Sequence, residues 1–137
     1  MSATAFKAPT RPRIVISATE HARLMALADA AEKRAPAIVE YLTDELTRAD
    51  IVDDEQFDQN VVRMGSTVTY RDEAADRTRT VTLVYPDAAN IEQNRISILT
   101  PIGAALIGLS PQQSISWRGP DGRESLLTVL NVSNEVA

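Results

Sequence analysis

The sequence predicts an α+β fold in which a short N-terminal antiparallel helical hairpin precedes an antiparallel sheet that carries one short helix. Apolar residues recur at helical spacing between residues 18 and 49. From Thr67 onward the pattern changes to alternation, in runs rich in valine, isoleucine and threonine, which is typical of strands. The segment from Arg95 to Leu109 combines both patterns, because a strand-like run leads directly into a short apolar helix.

Two amphipathic helices account for the hairpin. Ser17 and Glu20 have the spacing of a capping box, in which Ser17 caps the helix and Glu20 reaches back to it. We expect the first helix to continue to about Arg34, after which Pro36 ends it and begins the next helix. The second helix is predicted for residues 37–49, antiparallel to the first because the link is tight. The apolar stripes are Leu24, Leu27, Ala28 and Ala31 in the first helix, and Ile38, Leu42, Leu46 and Ala49 in the second.

Five runs are predicted as strands, and their succession along the chain predicts antiparallel neighbours. They are residues 67–70, 78–85, 95–99, 114–118 and 125–132, with a strong turn signal at residues 119–122. The short helix is predicted from Pro101 to Ile107: Thr100 can cap it, Pro101 suits its first position, and Gly108 suits the position past its end. A helix of about two turns is unstable alone, so it must pack against the rest of the molecule.

Composition divides the chain into four regions. Residues 1–13 form a small, polar and basic tail that we expect to be disordered, and residues 14–52 hold the hairpin. Residues 53–60 are predicted as an acidic linker, and residues 61–137 as the sheet domain. Ile14-Val15-Ile16 can be either a short strand or an apolar staple before the first helix.

Charge and composition restrict the function. The 137 residues carry a net charge of −5 and no cysteine, which excludes disulfides and thiol chemistry. Residues 18–58 carry eleven acidic and four basic residues, which argues against direct non-specific binding of nucleic acid. A solvated helix face and a partner-facing surface explain this acidity equally well. No export signal and no apolar run of membrane-spanning length is present, so we expect a cytoplasmic protein that does not engage membranes.

No catalytic constellation is present, so we expect no catalytic residue, no metal site and no cofactor. His21 is the only histidine, which excludes a multi-histidine metal site, and we expect it at the surface. The Asp53-Asp54-Glu55 run lacks the spacing of a calcium loop and is interpreted as a solvated linker. Two aromatic residues could stack on bases, but core packing is favoured for them and for two methionines: Tyr70, Trp117, Met25 and Met64.

The second half resembles the carboxy-terminal domain of the Gre transcript-cleavage factor family. Val62-Arg-Met-Gly-Ser-Thr-Val68 is similar to the opening motif of that domain, and Thr82-Leu-Val-Tyr-Pro86 to its next strand. Ile96-Ser97 and Thr100-Pro-Ile-Gly-Ala-Ala-Leu-Ile-Gly108 resemble the strand and short helix that follow. With Glu45-Leu-Thr-Arg-Ala49, these motifs are most similar to the Rnk-type regulators of nucleoside diphosphate kinase within that family. The resemblance implies an FKBP-like fold for the sheet domain.

Two departures from the family pattern bear on function. Gln112-Gln113 stands where the family usually has Gly-Asp, although Ser110-Pro111 can still form a turn. The hairpin is also short, about 20–25 Å for helices of about 15 residues. Family members that cleave transcripts use a much longer coiled coil, whose acidic tip holds magnesium in the polymerase active centre. At the expected tip here, Asp29 and Glu32 form an acidic pair, and Lys33 and Arg34 beside them would oppose a second cation.

By this resemblance we expect a non-enzymatic transcription regulator that binds RNA polymerase near the secondary channel, competes with Gre factors and does not cleave transcripts. Leu99, Thr100 and Pro101 are the expected docking residues, while Thr100 and Pro101 can equally serve only to start the helix. Three alternatives stay open: a cleavage factor acting through Asp29 and Glu32, an FKBP-like peptidyl-prolyl isomerase, and a binding module that uses the acidic hairpin. We expect a monomer without sequence-specific nucleic-acid binding.

Overall fold

A computed structural model describes residues 11–118 and 124–134 of the chain. The predicted turn at residues 119–122 and residues 1–10 of the predicted tail lie outside these described residues. Within the described ranges, no helix is both long enough and apolar enough to cross a membrane.

The hairpin consists of two helices, α1 (Ala18–Ala31) and α2 (Pro36–Arg48), as the apolar periodicity predicts. Helix α1 ends earlier than predicted because residues 32–35 form the connection. The backbone N–H groups of Arg34 and Ala35 both donate to the Ala31 carbonyl at 3.0 Å. Pro36 then occupies the first turn of α2, where its missing N–H leaves no helical hydrogen bond unmade.

A two-stranded parallel sheet fixes the base of the hairpin. Strand β1 (Val15–Ser17) pairs with β2 (Asp50–Val52), so the residues before α1 and after α2 lie side by side. The alternative left open at Ile14-Val15-Ile16 is therefore resolved in favour of a strand. The sequence does not predict β2, because a three-residue strand directly after a helix shows no alternating pattern and is defined only by its partner.

The second half forms a five-stranded sheet in the spatial order β5-β4-β3-β7-β6. Its strands are β3 (Thr67–Asp72), β4 (Arg77–Val84), β5 (Arg95–Ser97), β6 (Ser114–Arg118) and β7 (Glu124–Ser133). The predicted antiparallel sheet is confirmed except at one edge, where β5 runs parallel to β4. The connection between these strands contains two short 3-10 turns and brings the chain back beside the last three residues of β4, Thr82 to Val84, so β5 runs in the same direction.

Helix α3 (Pro101–Leu106) lies between the hairpin and the sheet, where it contacts α2 on one side and β5 and β6 on the other. Ala104, Ala105 and Leu106 have no exposed surface. They belong to a single core cluster that also contains the buried stripes of both hairpin helices and the inner face of the sheet. This double-sided burial is what stabilises so short a helix.

Three distant segments meet just past the end of α3. The Val15 N–H donates to the Gly108 carbonyl at 3.1 Å, and the Gly108 N–H donates to the Val62 carbonyl at 3.0 Å. Gly108 has φ +80°, and a Cβ there would lie 2.8 Å from the Cβ of Ile14. The glycine past the helix end is therefore confirmed, and it is needed both for the backbone conformation and for the close approach of the N-terminal segment.

The core predictions for single side chains are confirmed in three cases out of four. Tyr70 and Trp117 are buried in the core, and Met64 is half-buried against it. The prediction for Met25 is wrong, because its side chain is 39% exposed. Met25 follows the buried Leu24 along α1 and therefore lies outside the apolar stripe.

Candidate functional site

The predicted docking segment, Leu99 to Pro101, is a tight connection between β5 and α3. The Thr100 hydroxyl accepts the Gly103 N–H at 3.1 Å and donates to the Ser97 carbonyl at 2.7 Å. The Ser97 hydroxyl accepts the Leu99 N–H at 2.9 Å. Because these bonds hold the segment in one conformation, a partner would meet a preformed surface.

Gly103 makes this packing possible. A Cβ built on it would lie 2.1 Å from the Ser97 carbonyl oxygen and 3.0 Å from the Ile98 Cα, and both are backbone atoms that cannot simply rotate away. Any other residue would therefore push α3 away from β5. The first glycine of the helical motif is required by the fold, and it sets the position of the docking segment.

The exposed part of the segment is apolar. Pro101 is exposed, and Leu99 and Thr100 are half-buried, with Leu99 packed against the core. No side chain of the three is titratable, so the surface offers shape and apolar area rather than charge. Such a surface can take part in a protein contact but cannot by itself carry out acid–base chemistry.

A cleft of about 670 Å³ separates helix α1 from the connection that follows β4. Its lining residues come from both sides: Leu27, Arg34, Tyr85, Pro86 and Asp87. Tyr85 lies close to the docking segment, since Val84 is paired with Ser97 and accepts the Ile98 N–H at 2.9 Å. The docking segment therefore follows the strand that pairs with the end of β4, and the cleft residue Tyr85 follows β4 itself.

The predicted hairpin-tip residues fall on two flanks of the hairpin. Asp29 and Glu32 together line a shallow groove between α1 and α2, whereas Arg34 lines the cleft that faces the sheet domain. Lys33 is exposed in the connection between the helices. The structure thus groups the two carboxylates and turns the Arg34 side chain toward the other flank.

The described residues contain no group of three or more His, Cys, Asp or Glu side chains that could hold a metal ion. His21 is half-buried rather than at the surface, and its Nε2 lies 2.9 Å from the Leu46 carbonyl. It joins α1 to α2, which gives it a structural contact.

A group of polar contacts that the sequence does not reveal joins the hairpin to the linker and to the start of the sheet domain. The Glu20 carboxylate accepts the Met64 N–H at 2.9 Å and lies 3.9 Å from the Arg63 guanidinium. Asp54 accepts hydrogen bonds from the N–H and the hydroxyl of Thr19. These contacts bridge segments that are far apart in the chain, so no local pattern could have indicated them.

Glu20 therefore makes only half of the predicted capping box. Its N–H donates to the Ser17 hydroxyl at 3.3 Å, as predicted, but its carboxylate points to Met64. Burial raises the pKa of the Glu20 carboxyl above 4.5, against the opposing effects of the Met64 hydrogen bond and the Arg63 charge. The hydrogen bonds from Thr19 lower the pKa of the exposed Asp54 carboxyl.

The Gln112-Gln113 departure preserves the predicted turn. The Gln113 N–H donates to the Ser110 carbonyl at 3.1 Å, with Pro111 at the second position. Gln112 has φ 76°, a left-handed conformation that favours glycine. The Gln113 side chain accepts the Ser110 N–H at 2.8 Å and donates to the Arg13 carbonyl at 3.1 Å. Gln113 thus connects this turn with the N-terminal segment.

Comparison with known proteins divides the chain into two matching parts. Residues 12–52 match the family described as Rnk N-terminus, and residues 57–134 match the family described as Transcription elongation factor, GreA/GreB, C-term. The regulator of nucleoside diphosphate kinase of Escherichia coli (strain K12) is 33% identical over 123 residues, which cover 90% of this chain and 90% of that protein. GreA of Roseiflexus sp. (strain RS-1) is 39% identical over 84 residues, which cover 61% of this chain and 54% of that protein.

A solved structure supports the same relationship. The prokaryotic transcription elongation factor GreA/GreB from Nitrosomonas europaea has a TM-score of 0.70 and 35% sequence identity, over 90% of this chain and 100% of that one. This likeness confirms the predicted α+β architecture. The chain therefore belongs to the GreA/GreB family of transcription elongation factors, as an Rnk-type member in which an Rnk N-terminal hairpin precedes the GreA/GreB C-terminal domain.

Proposed function

We propose that this protein is a non-enzymatic transcription regulator that binds RNA polymerase near the secondary channel and competes there with Gre factors, without cleaving transcripts. The observation that carries the proposal is a GreA/GreB-type domain joined to helices of only 14 and 13 residues. The similar proteins are named as a regulator and as elongation factors. Because elongation factors act on transcribing polymerase, these names favour polymerase as the partner.

The docking segment supports a contact made through the sheet domain. Pro101 is exposed at the start of α3, and the Thr100 and Ser97 hydrogen bonds fix its position. Preformed apolar surfaces bind proteins with little loss of conformational entropy. We therefore assign polymerase docking to Leu99, Thr100 and Pro101.

The hairpin supports the absence of cleavage. Helix α1 rises about 21 Å over its length at about 1.5 Å per residue, and its base is fixed by the β1–β2 sheet. A hairpin of this length would occupy the mouth of a channel rather than deliver Asp29 and Glu32 to a distant active centre. The Asp29–Glu32 pair also lies on a flank of the hairpin, among groove residues.

Prolyl isomerisation is disfavoured by the positions of the aromatic side chains. Such an activity needs an aromatic pocket that admits a proline side chain. Tyr70 and Trp117 are buried in the core, and the cleft lined by Tyr85 has no second aromatic residue among its described lining residues. We expect no acceleration of proline isomerisation in a peptide assay.

Binding of core RNA polymerase by the full chain tests the proposal. We expect saturable binding at micromolar concentration and displacement by a GreA protein from the same cells. Substitution of both Leu99 and Pro101 by alanine should weaken binding about tenfold, because it removes the apolar contact. Ile51→Ala is the matched control, since Ile51 is an exposed aliphatic residue at the base of the hairpin. Absence of wild-type binding at micromolar concentration would contradict the proposal.

Transcript shortening in backtracked polymerase complexes tests the proposed absence of transcript cleavage. We expect no shortening with this protein under conditions in which a GreA protein cleaves. Shortening that disappears in the D29N/E32Q variant would instead establish a cleavage factor and overturn the argument from hairpin length.

A further inference from the structure

The hairpin carries a groove on the flank that does not face the sheet. The groove has a volume of about 430 Å³ and is lined only by residues of α1 and α2: Met25, Ala26, Ala28, Asp29, Glu32, Val39 and Thr43. Its floor is apolar, because Ala28 and Val39 are buried. Met25 borders it with a side chain that is 39% exposed, an apolar surface with no described contact to cover it. We call this feature the hairpin groove.

The charge on the groove has one sign. Its only ionisable lining residues are Asp29 and Glu32, and neither has an ion-pair partner among the described residues. Of the two basic residues that follow Glu32, Arg34 lines the cleft on the opposite flank, and Lys33 is exposed in the connection and does not line the groove. Glu40 and Asp44 are exposed on the same helix as Val39 and Thr43 and extend the negative field.

We propose that the hairpin groove binds a basic amphipathic segment of RNA polymerase, an inference that rests on the proposed function. An apolar side chain of that segment would cover Met25 and the groove floor, while flanking lysine or arginine side chains would pair with Asp29 and Glu32. Charge complementarity selects this occupant, because nucleic acid and acidic peptides are repelled by the two carboxylates. This contact is separate from the one made by the docking segment on the sheet domain, so the hairpin and the sheet domain would each contact RNA polymerase.

Neutralising the groove tests the inference. The variant D29N/E32Q keeps the size and polarity of both side chains and removes two charges. The matched control is D53N/E55Q, which removes the same charge from exposed residues outside the groove. We expect D29N/E32Q to bind core polymerase roughly three- to tenfold more weakly at low salt, with a difference that shrinks as salt is added. The control should retain wild-type affinity.

The outcomes separate the two proposals. Loss of wild-type polymerase binding would overturn the proposed function and this inference with it. Normal wild-type binding together with unchanged affinity of D29N/E32Q would overturn this inference alone. Thermal unfolding of each variant shows whether an altered affinity reflects altered folding.

Photo-crosslinking identifies the occupant directly. Met25→p-benzoylphenylalanine places a reactive group at the groove in the full chain, and the same group at Glu55 serves as the control position. We expect Met25 crosslinks to a polymerase segment with net positive charge. Crosslinks only to nucleic acid or to an acidic segment, or none while polymerase is bound, would contradict the proposal.

Discussion

Gln112 adopts a left-handed backbone conformation that is usually found at glycine. It has φ 76° in the turn that follows α3, and the turn is kept by the Gln113 N–H, by Pro111 and by the Gln113 side chain on the Ser110 N–H. A residue with a Cβ in this region costs about 1–2 kcal/mol relative to the right-handed conformation. The turn therefore carries local strain that its hydrogen bonds offset.

Replacing Gln112 by glycine should relieve this strain. We expect Gln112→Gly to raise the free energy of unfolding by about 0.5–1 kcal/mol, since the greater entropy of glycine in the unfolded chain offsets part of the gain. Urea denaturation measures the change. Gln113→Ala is the contrasting variant and should lower stability by about 1 kcal/mol, because the Ser110 N–H loses its acceptor. A loss of stability in Gln112→Gly would contradict the prediction.

Glu20 should make stability depend on pH. Its folded-state pKa is raised above 4.5, so the folded protein binds the proton more tightly than the unfolded chain. Wild-type stability therefore falls as the pH rises from about 4.5 through the folded-state pKa. Glu20→Gln cannot ionise but still offers an oxygen to the Met64 N–H, so it should lack this loss.

The measurement is the difference in unfolding free energy between Glu20→Gln and wild type, by urea denaturation from pH 4 to pH 8. We expect the difference to shift in favour of Glu20→Gln over the pH range in which the wild type deprotonates, and then to stay constant. Glu55→Gln, at an exposed site, is the control. A difference for Glu20→Gln that does not change with pH would contradict the prediction.

At the scale of elements, α3 is the structural link between the two halves. It contacts α2 on one side and β5 and β6 on the other, and Gly103 allows its backbone to approach β5. Helix α3 begins at the docking segment, so the packing that buries it also sets the position of Leu99 to Pro101.

Gly103→Ala should disturb this link. Its Cβ would lie 2.1 Å from the Ser97 carbonyl oxygen, so we expect a loss of about 2–4 kcal/mol in unfolding free energy and weaker polymerase binding. Gly65→Ala is the matched control: Gly65 has φ +90° with nothing within 4 Å of its Cβ, so only backbone strain of about 1–2 kcal/mol applies. Equal losses in the two variants would contradict the steric explanation.

Two substitutions of Thr100 distinguish its role in capping α3 from a role in polymerase docking. Thr100→Ala removes the hydroxyl that accepts the Gly103 N–H and should cost about 1 kcal/mol of stability, whereas Thr100→Ser keeps the cap. If Thr100 only caps, Thr100→Ser should bind polymerase as the wild type does. Weaker binding by Thr100→Ser at unchanged stability would show that the methyl group contacts the partner. Thermal unfolding and polymerase affinity measure the two effects.

The sequence predicted elements where a periodic pattern persists over several residues. Both hairpin helices and the longer strands have such a pattern, and α3 has a clear cap in Thr100 and a clear stop in Gly108. The exceptions are β2 and the direction of β5. Strand β2 is a strand only because it pairs with β1. The direction of β5 depends on the path of the connection that precedes it. Local spacing cannot indicate pairing that is decided by distant residues.

At the scale of the whole molecule, one core cluster joins the two halves within the part of the chain that the structure describes. The cluster runs from Ile14 and the hairpin helices through α3 to β6 and β7 without interruption. Because α3 is buried by both halves, neither half retains its full apolar packing alone. The hydrogen bond between Glu20 and the Met64 N–H adds a polar connection between the same two halves.

We therefore expect the two halves to unfold together. Trp117 is the only tryptophan and lies in β6, so its fluorescence follows the sheet domain. Far-UV circular dichroism near 222 nm follows mainly the hairpin helices. The two signals should give the same urea midpoint. A hairpin transition at lower urea than the Trp117 transition would show instead that the halves unfold independently.

Only the part of the candidate site that is contiguous in the chain could be predicted from the sequence. Leu99 to Pro101 stand together in a motif, so the sequence places them on one short connection. The hairpin groove requires side chains from two helices, and the Glu20–Met64 contact requires residues from two halves of the chain. The sequence identified Asp29 and Glu32 as a pair, but their separation from Arg34 depends on how the hairpin rests against the sheet domain.

The hydrogen bond between Val15 and Gly108 also limits how early the N-terminal segment can fold during protein synthesis. Val15 in β1 needs the carbonyl of Gly108, so the N-terminal strand cannot complete its hydrogen bonds until most of the chain has left the ribosome. Until then the apolar faces of α1 and α2 have no α3 to cover them, and contacts between such distant residues form slowly. The nascent hairpin therefore exposes apolar surface until residues 101–109 have left the ribosome and α3 can pack against α2.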